Sequence, residues 1–106
     1  MRSEKPWVVV WAVPKNRIEI PCWIMVKHEE RGWELPGGEL MESEENDIAA
    51  LRELYEETGH LGVAIAEDDS IIKGGVVVLV EIDVEPDEWN WICLLYTSDA
   101  ADEVVS

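Results

Sequence analysis

Between Gly37 and His60 the chain reads GGELMESEENDIAALRELYEETGH, in which Glu39, Glu42, Glu44, Glu45, Asp47, Glu53, Glu56 and Glu57 face a single base, Arg52. On a helix, like charges three and four residues apart cost roughly 0.2–0.5 kcal/mol per pair. Glu53, Glu56 and Glu57 have that spacing, and they fall within about 100° of one another at 3.6 residues per turn. A charge run is ordinarily a solvated face. Three features point beyond that here. The carboxylates converge where repulsion is worst without a cation between them. The pair Gly37-Gly38 precedes them and lets backbone approach a ligand closely. Arg52 stands beside Glu53, where it can orient that carboxylate. A hard divalent ion with oxygen ligands would relieve the repulsion, and Mg²⁺ commonly takes a few carboxylates together with waters and substrate phosphates.

The helix that must carry these acids is expected to begin near Ser43 or Asn46, either able to cap it, and to end at Gly59 as the C′ residue. Ile48, Leu51, Leu54 and Tyr55, with Ala50 at the edge, form the arc expected to pack on a sheet, the acids lying opposite. Trp7–Val13, closed by Pro14, reads as a buried strand, and PKNR as a turn. From Ile18 to Val26 apolar residues occupy the even positions, a strand with one face in the core and an edge or bulge at Pro21. KHEERG then reads as a loop, WEL as a short extended piece and PGG as a tight turn. After the helix, Leu61–Ala66 and Ile71–Val84 read as strands around the turn EDDS. Val76–Val80 is apolar on both faces, which places it centrally in a sheet covered on both sides. EPDEWNW reads as an acidic loop. No repeat or low-complexity linker interrupts the chain.

With 106 residues the chain is one domain with one modest core. Its 24 acidic and 8 basic residues give a formal charge of −16. Such a surface repels phosphate backbones and anionic membranes, so the expected partners include neither nucleic acid nor membrane. It suits a cation-binding protein, or one from a salty cytoplasm. Cys22 and Cys93 lack metal-ligand spacing and are a thin disulfide framework, so a reduced, cytoplasmic setting is expected. The N-terminal apolar run is too short for a membrane helix, and Glu4 with no small-residue cleavage site argues against a signal peptide.

Gly38, then Glu44 after five residues, then RELYEETG (Arg52–Gly59) after seven more, resembles the Nudix box of the Nudix hydrolases. One position departs: His60 stands where the family usually has an aliphatic residue, a contact Leu61 is expected to take over. The resemblance implies an α/β fold, a Nudix-type α/β/α sandwich around a mixed sheet. It also implies hydrolysis of a nucleoside diphosphate linked to another group, with a small-molecule nucleotide as substrate and a (d)NTP among the candidates. Carried over by position, Glu53, Glu56 and Glu57 are the expected metal ligands, joined by the Gly37 carbonyl. The expected catalytic set is Glu53, Arg52 and Glu44, with Arg52 holding Glu53 and Glu44 acting through metal-bound water or as a base. The implied cofactor is Mg²⁺, with Mn²⁺ as the alternative. Metal ions neutralise charge on phosphoryl oxygens and lower the pKa of bound water, while a carboxylate takes its proton. Which glutamate is that base stays open. Asp87 and Glu88 are later-loop candidates, for which solvated loop acids is the plainer description. Lys27, His28 and Arg31 precede the glycine turn in a segment similar to that of the nucleoside-triphosphate-cleansing members. Lys27 and Arg31 are the expected substrate contacts, against the alternative that they only solubilise a loop. Among six tryptophans, Trp7, Trp11 and Trp23 lie on strands, and core packing competes there with stacking on a base.

Cys93–Glu103, CLLYTSDAADE, resembles residue for residue the translation of a transposase adapter used for shotgun sequencing libraries. The alternative is a strand over Ile92–Tyr96 followed by a helical turn from Ser98. The adapter reading divides the chain into a Nudix hydrolase domain at 1–92, incomplete at its C-terminus, and a non-native tail at 93–106. Cys22 is then the one natural cysteine, and the run Val76–Val80 is left half exposed. Three functions compete on this basis: a metal-dependent hydrolase, a nucleotide-binding module without turnover, and an inactive truncated fragment.

Overall fold

Val8, Val10 and Ala12 alternate with Trp7, Val9 and Trp11, and the first three are fully buried while Trp7 and Trp11 stay exposed. That period of two makes strand β1 (Trp7–Pro14). The computed structural model describes residues 6–16, 21–84 and 91–93. After β1 come β2 (Cys22–Ile24), β3 (Val26–His28), β4 (Gly32–Glu34) and β5 (Gly37–Glu39). Helix α1 (Asn46–Thr58), β6 (Val63–Asp68), β7 (Gly75–Ile82) and β8 (Trp91–Cys93) complete the described elements.

The principal sheet has the order β5-β1-β7-β6. β1 and β7 pair in parallel from Trp7 opposite Gly75 to Pro14 opposite Ile82. β5 and β6 flank them antiparallel, so the sheet is mixed. A parallel pair needs a crossover, and α1 lies in it. One face of the sheet, Val8, Val10, Val76, Val78, Val80 and Ile82, forms the core with Ala49, Ala50 and Leu54 of α1. β2–β8 and β3–β4 are separate two-stranded ribbons. The chain is thus α/β, with a mixed sheet and a helix. Among the described residues α1 is the one helical layer.

Several expectations are corrected. PGG is not a tight turn alone, because Gly37 and Gly38 enter β5 and pair with Val9 and Val8. A Cβ at Gly37 would strike the Val8 carbonyl oxygen, so glycine is what lets this edge strand approach β1. The long strand expected to Val26 divides. Cys22 and Ile24 are buried as the alternation requires, but the strand stops before Met25, and Val26–His28 pairs with β4 instead. Residues 17–20 lie outside the described residues. β7 is central, yet its second face is not covered among the described residues. Val77 and Leu79 line an open apolar hollow of about 570 Å³ with Val9, Trp11, Ile71 and Ile72. Trp91, read as part of a loop, is buried in β8. Trp11 and Trp23 stack on each other, with ring centroids 5.4 Å apart.

The reduced-cysteine expectation is also corrected. Cys22 and Cys93 face each other across the β2–β8 pair and are joined as a disulfide. Directly opposed strand positions bring the two Cβ atoms within reach, which sequence separation alone does not reveal. Residues 94–106, which carry the rest of the adapter-like segment, lie outside the described residues.

Candidate active site

The turn before α1 sets the site. Ser43 adopts a left-handed φ of 67°, and Glu44 folds back on Met41 in two ways. Its N–H donates to the Met41 carbonyl at 3.0 Å, and its carboxylate accepts the Met41 N–H at 2.9 Å. The helix starts two residues later than Glu44. Its N-cap is Glu45, in extended backbone with no side-chain cap, rather than Ser43 or Asn46. Gly59 ends it as expected, with φ 79° and its N–H donating to the Tyr55 carbonyl.

The rotation of α1 differs from the expected one. Ala49, Ala50 and Leu54 are buried against the sheet, while Ile48 and Tyr55 are about half exposed. Two alanines let the helix approach the sheet more closely than the larger Ile48 would. The inward arc therefore includes Glu53, whose side chain is 13% exposed. Its carboxylate occupies the space beside Gly38 that a Cβ would fill, with the carboxyl carbon 2.6 Å from that position. The second glycine of the turn thus cradles a carboxylate.

Arg52 gathers these acids. Its Nε and Nη2 donate to the two Glu44 oxygens at 2.7 and 3.0 Å. Nη1 donates to Glu53 at 3.1 Å and to Glu56 at 3.4 Å, and Nη2 also reaches the Glu39 carbonyl at 3.2 Å. The guanidinium holds the Glu44 carboxyl below the usual carboxylate range, with the Met41 N–H as a second cause. Glu44 in turn fixes Arg52 more firmly in its charged form. Glu57 behaves in the opposite way. Burial pushes its carboxyl up to about 7, and a hydrogen bond with Glu53 adds to the rise, while the Gly37 N–H opposes it.

The expected residues of the box thus come together along one side of α1, beside β5. Glu44, Arg52, Glu53 and Glu56 form one bonded network, Gly38 adjoins Glu53, and Glu57 lies beside Gly37 and Glu53. Among the described residues no three acids lie close enough to hold an ion as they stand. Arg52 Nη1 holds Glu53 and Glu56 on itself. The donor set nevertheless fits a hard cation: carboxylate and carbonyl oxygens, with the Glu53 side chain cradled by Gly38. Asp87 and Glu88 lie outside the described residues. Lys27 and Arg31 line a hollow of about 370 Å³ that also contains Gly37 and Glu57. Glu34, paired with Arg31, was not singled out from the sequence, although its i,i+3 spacing in the hairpin was visible. Asn46 was considered only as a cap, yet its amide donates to Glu67 of β6 at 2.7 Å and ties the helix start to the sheet edge. His60 packs edge-on against Trp91, ring centroids 6.2 Å apart. Leu61 is 75% exposed and does not take over that contact.

A pH dependence follows from Glu57. Its folded-state pKa of about 7 lies above the ordinary 4.5, so this group's contribution to stability is full below about 4.5 and is lost as pH rises through 7. The metal-free melting temperature is therefore expected to fall between pH 5 and pH 8. The upward shift produced by Mg²⁺ should grow over the same window, because ion and proton compete for the same oxygens. Thermal melts of the chain and of Glu57→Gln check this. A Mg²⁺ shift independent of pH, or an unchanged slope in the variant, would refute it.

The structure combines a four-stranded mixed sheet, a helix on one face, and carboxylates gathered beside two strand glycines. The NUDIX domain model matches residues 8–104, and the chain belongs to that family. Among solved structures, the C. elegans Ap4A hydrolase is similar with a TM-score of 0.62 and 16% identity, over 92% of this chain and 86% of that one. The Bacillus subtilis pyrophosphohydrolase BsRppH is similar with a TM-score of 0.55 and 21% identity, over 87% of this chain and 64% of that one. These are likenesses of fold. In sequence, 37 residues are 51% identical to the Bacillus subtilis (strain 168) protein named "Putative 8-oxo-dGTP diphosphatase YtkD", covering 35% of this chain and 23% of that relative. No helix among the described residues is long and apolar enough to cross a membrane.

Proposed function

We propose that this domain hydrolyses the diphosphate linkage of a nucleoside diphosphate derivative, with a nucleoside triphosphate as the first substrate class. The observation that carries the reading is the Arg52 network, which holds Glu44 and Glu53 beside the glycines of β5. Glu53, Glu56, Glu57 and the Gly37 carbonyl would hold Mg²⁺, or Mn²⁺ in its place. When bound, the ion supplies charge neutralisation at the phosphoryl oxygens and a more acidic water. Arg52 keeps the Glu53 carboxylate oriented, and Glu44 or Glu53 accepts the proton of the attacking water. The water oxygen forms a new bond to phosphorus as the bridging P–O bond of the anhydride breaks, and the leaving phosphate takes the electron pair. Lys27 and Arg31 would meet the phosphates. The curated relative's name supports placing an oxidised purine triphosphate in the test panel. Incubation with dGTP, 8-oxo-dGTP and a dinucleoside polyphosphate, with and without Mg²⁺, tests the reading by product chromatography. Saturable binding with no metal-dependent product across the panel would favour the module without turnover.

The boundary at residue 92 belongs to the same proposal. The adapter resemblance of Cys93–Glu103 supports it, while the family match to residue 104 runs against it. If the tail is non-native, deleting 94–106, the part beyond the Cys22–Cys93 pair, is expected to move the melting temperature by less than about 2 °C. A loss of 10 °C would make the segment part of the domain. The cytoplasmic expectation competes with a less reducing compartment, which the Cys22–Cys93 disulfide favours, and thiol titration of freshly isolated protein distinguishes the two.

A further inference from the structure

The β3–β4 hairpin stands over the hollow beside Gly37 and Glu57, and it brings Lys27, His28, Arg31 and Glu34 there, with Trp7 as an apolar wall. Arg31 Nε and Nη2 donate to the two Glu34 oxygens at 2.7 and 3.3 Å. A guanidinium fork binds phosphate by the same two-pronged geometry. Glu34 thus occupies on Arg31 the place a phosphate would take. The pair is open to water, with side chains 61% and 37% exposed, and exposed pairs of this kind are weak. Both partners sit three residues apart in one hairpin, so exchanging one for a ligand need not disturb the sheet. Glu34 is also near enough to Glu57 for its charge to act on that carboxyl. The His28 ring is tied to the turn by the Glu30 N–H, which donates to Nδ1 at 3.3 Å.

We infer that Glu34 is a specificity-determining residue of this hollow, holding Arg31 until a phosphate displaces it and so setting how strongly a triphosphate is preferred to a monophosphate. The inference rests on the hydrolase reading for the class of ligand. With Glu34 present, the Arg31 guanidinium is balanced by Glu34, and the hollow attracts anions less strongly. Removing the Glu34 charge leaves Arg31 unopposed, and the gain scales with the charge of the ligand.

Binding tests this without turnover. The probes are an α,β-methylene nucleoside triphosphate and a nucleoside monophosphate, titrated with Mg²⁺ present and followed by tryptophan fluorescence, to which Trp7 in the hollow wall contributes. Glu34→Gln is expected to tighten the triphosphate analogue about three- to fivefold and the monophosphate less than about twofold, the size of one exposed charge. Arg31→Gln is expected to weaken the analogue. Adding Glu34→Gln to Arg31→Gln should then change nothing further, because Glu34 acts through Arg31. Equal gains for both ligands, a gain that persists without Arg31, or no binding to the wild-type chain would each overturn the inference. The expected affinities without product from a natural triphosphate would count against the hydrolase reading alone.

Discussion

Combining Glu56→Gln with Glu57→Gln is expected to lower Mg²⁺-dependent hydrolysis by about 10³-fold or more, without lowering the melting temperature in the absence of metal. The substitutions keep side-chain size and helix propensity, so α1 and its contacts through Ala49, Ala50 and Leu54 remain. They remove two negative charges from a helix face already crowded with them, which relieves repulsion. Glu57→Gln also removes a carboxyl whose burial disfavours its ionised form. Binding of a divalent ion loses two of its proposed oxygen anions at once. Stability and activity are therefore expected to part company, and measuring both separates a site defect from a folding defect. Hydrolysis that persists near the original rate would sink the metal-site assignment.

Gly38→Ala is expected to lower turnover by about 10²-fold while changing the melting temperature by only a few degrees. The added Cβ enters the space held by the Glu53 carboxylate. A carboxylate at the end of a flexible side chain can move aside at small cost, so the fold survives. It then leaves the position in which Arg52 Nη1 holds it, and displacement of a reacting group by about 1 Å can cost that much in rate. Gly37→Ala makes the contrast. Its Cβ would meet the Val8 carbonyl, which is backbone in the centre of the sheet, so that variant should lose stability first. If Gly38→Ala turns over normally, Glu53 does not act from the place described here.

Much of this arrangement was legible from residues. The alternation in Trp7–Val13 and the apolar run Val76–Val80 identified the two strands at the centre of the sheet, and Gly59 marked the helix end. The box spacing named the residues that the fold then gathers. The rotation of α1 was not legible, because a periodic pattern finds an apolar stripe but does not weigh close approach. Small Ala49 and Ala50 won the interior over Ile48 and Tyr55. The strand role of Gly37 was hidden because a glycine pair after proline reads equally as a turn. The Cys22–Cys93 bond and the Asn46–Glu67 contact depend on which strands are neighbours, and local sequence carries no such information. The Arg31–Glu34 pair is local, but basic residues just before a glycine pair point to ligands as readily as to partners.

The parallel pairing of Val8 with Val76 has a consequence for how the protein is made. These positions are far apart along the chain, so the central sheet closes only after most of the polypeptide has left the ribosome, and the loop-closure entropy is met before the contact rewards it. Until β7 docks, α1 has only part of the surface that seats Leu54, and the acids it carries have no fixed setting. A substitution in Val76–Val80 that slows docking would therefore reach an assay as missing active protein, although every residue of the box is intact.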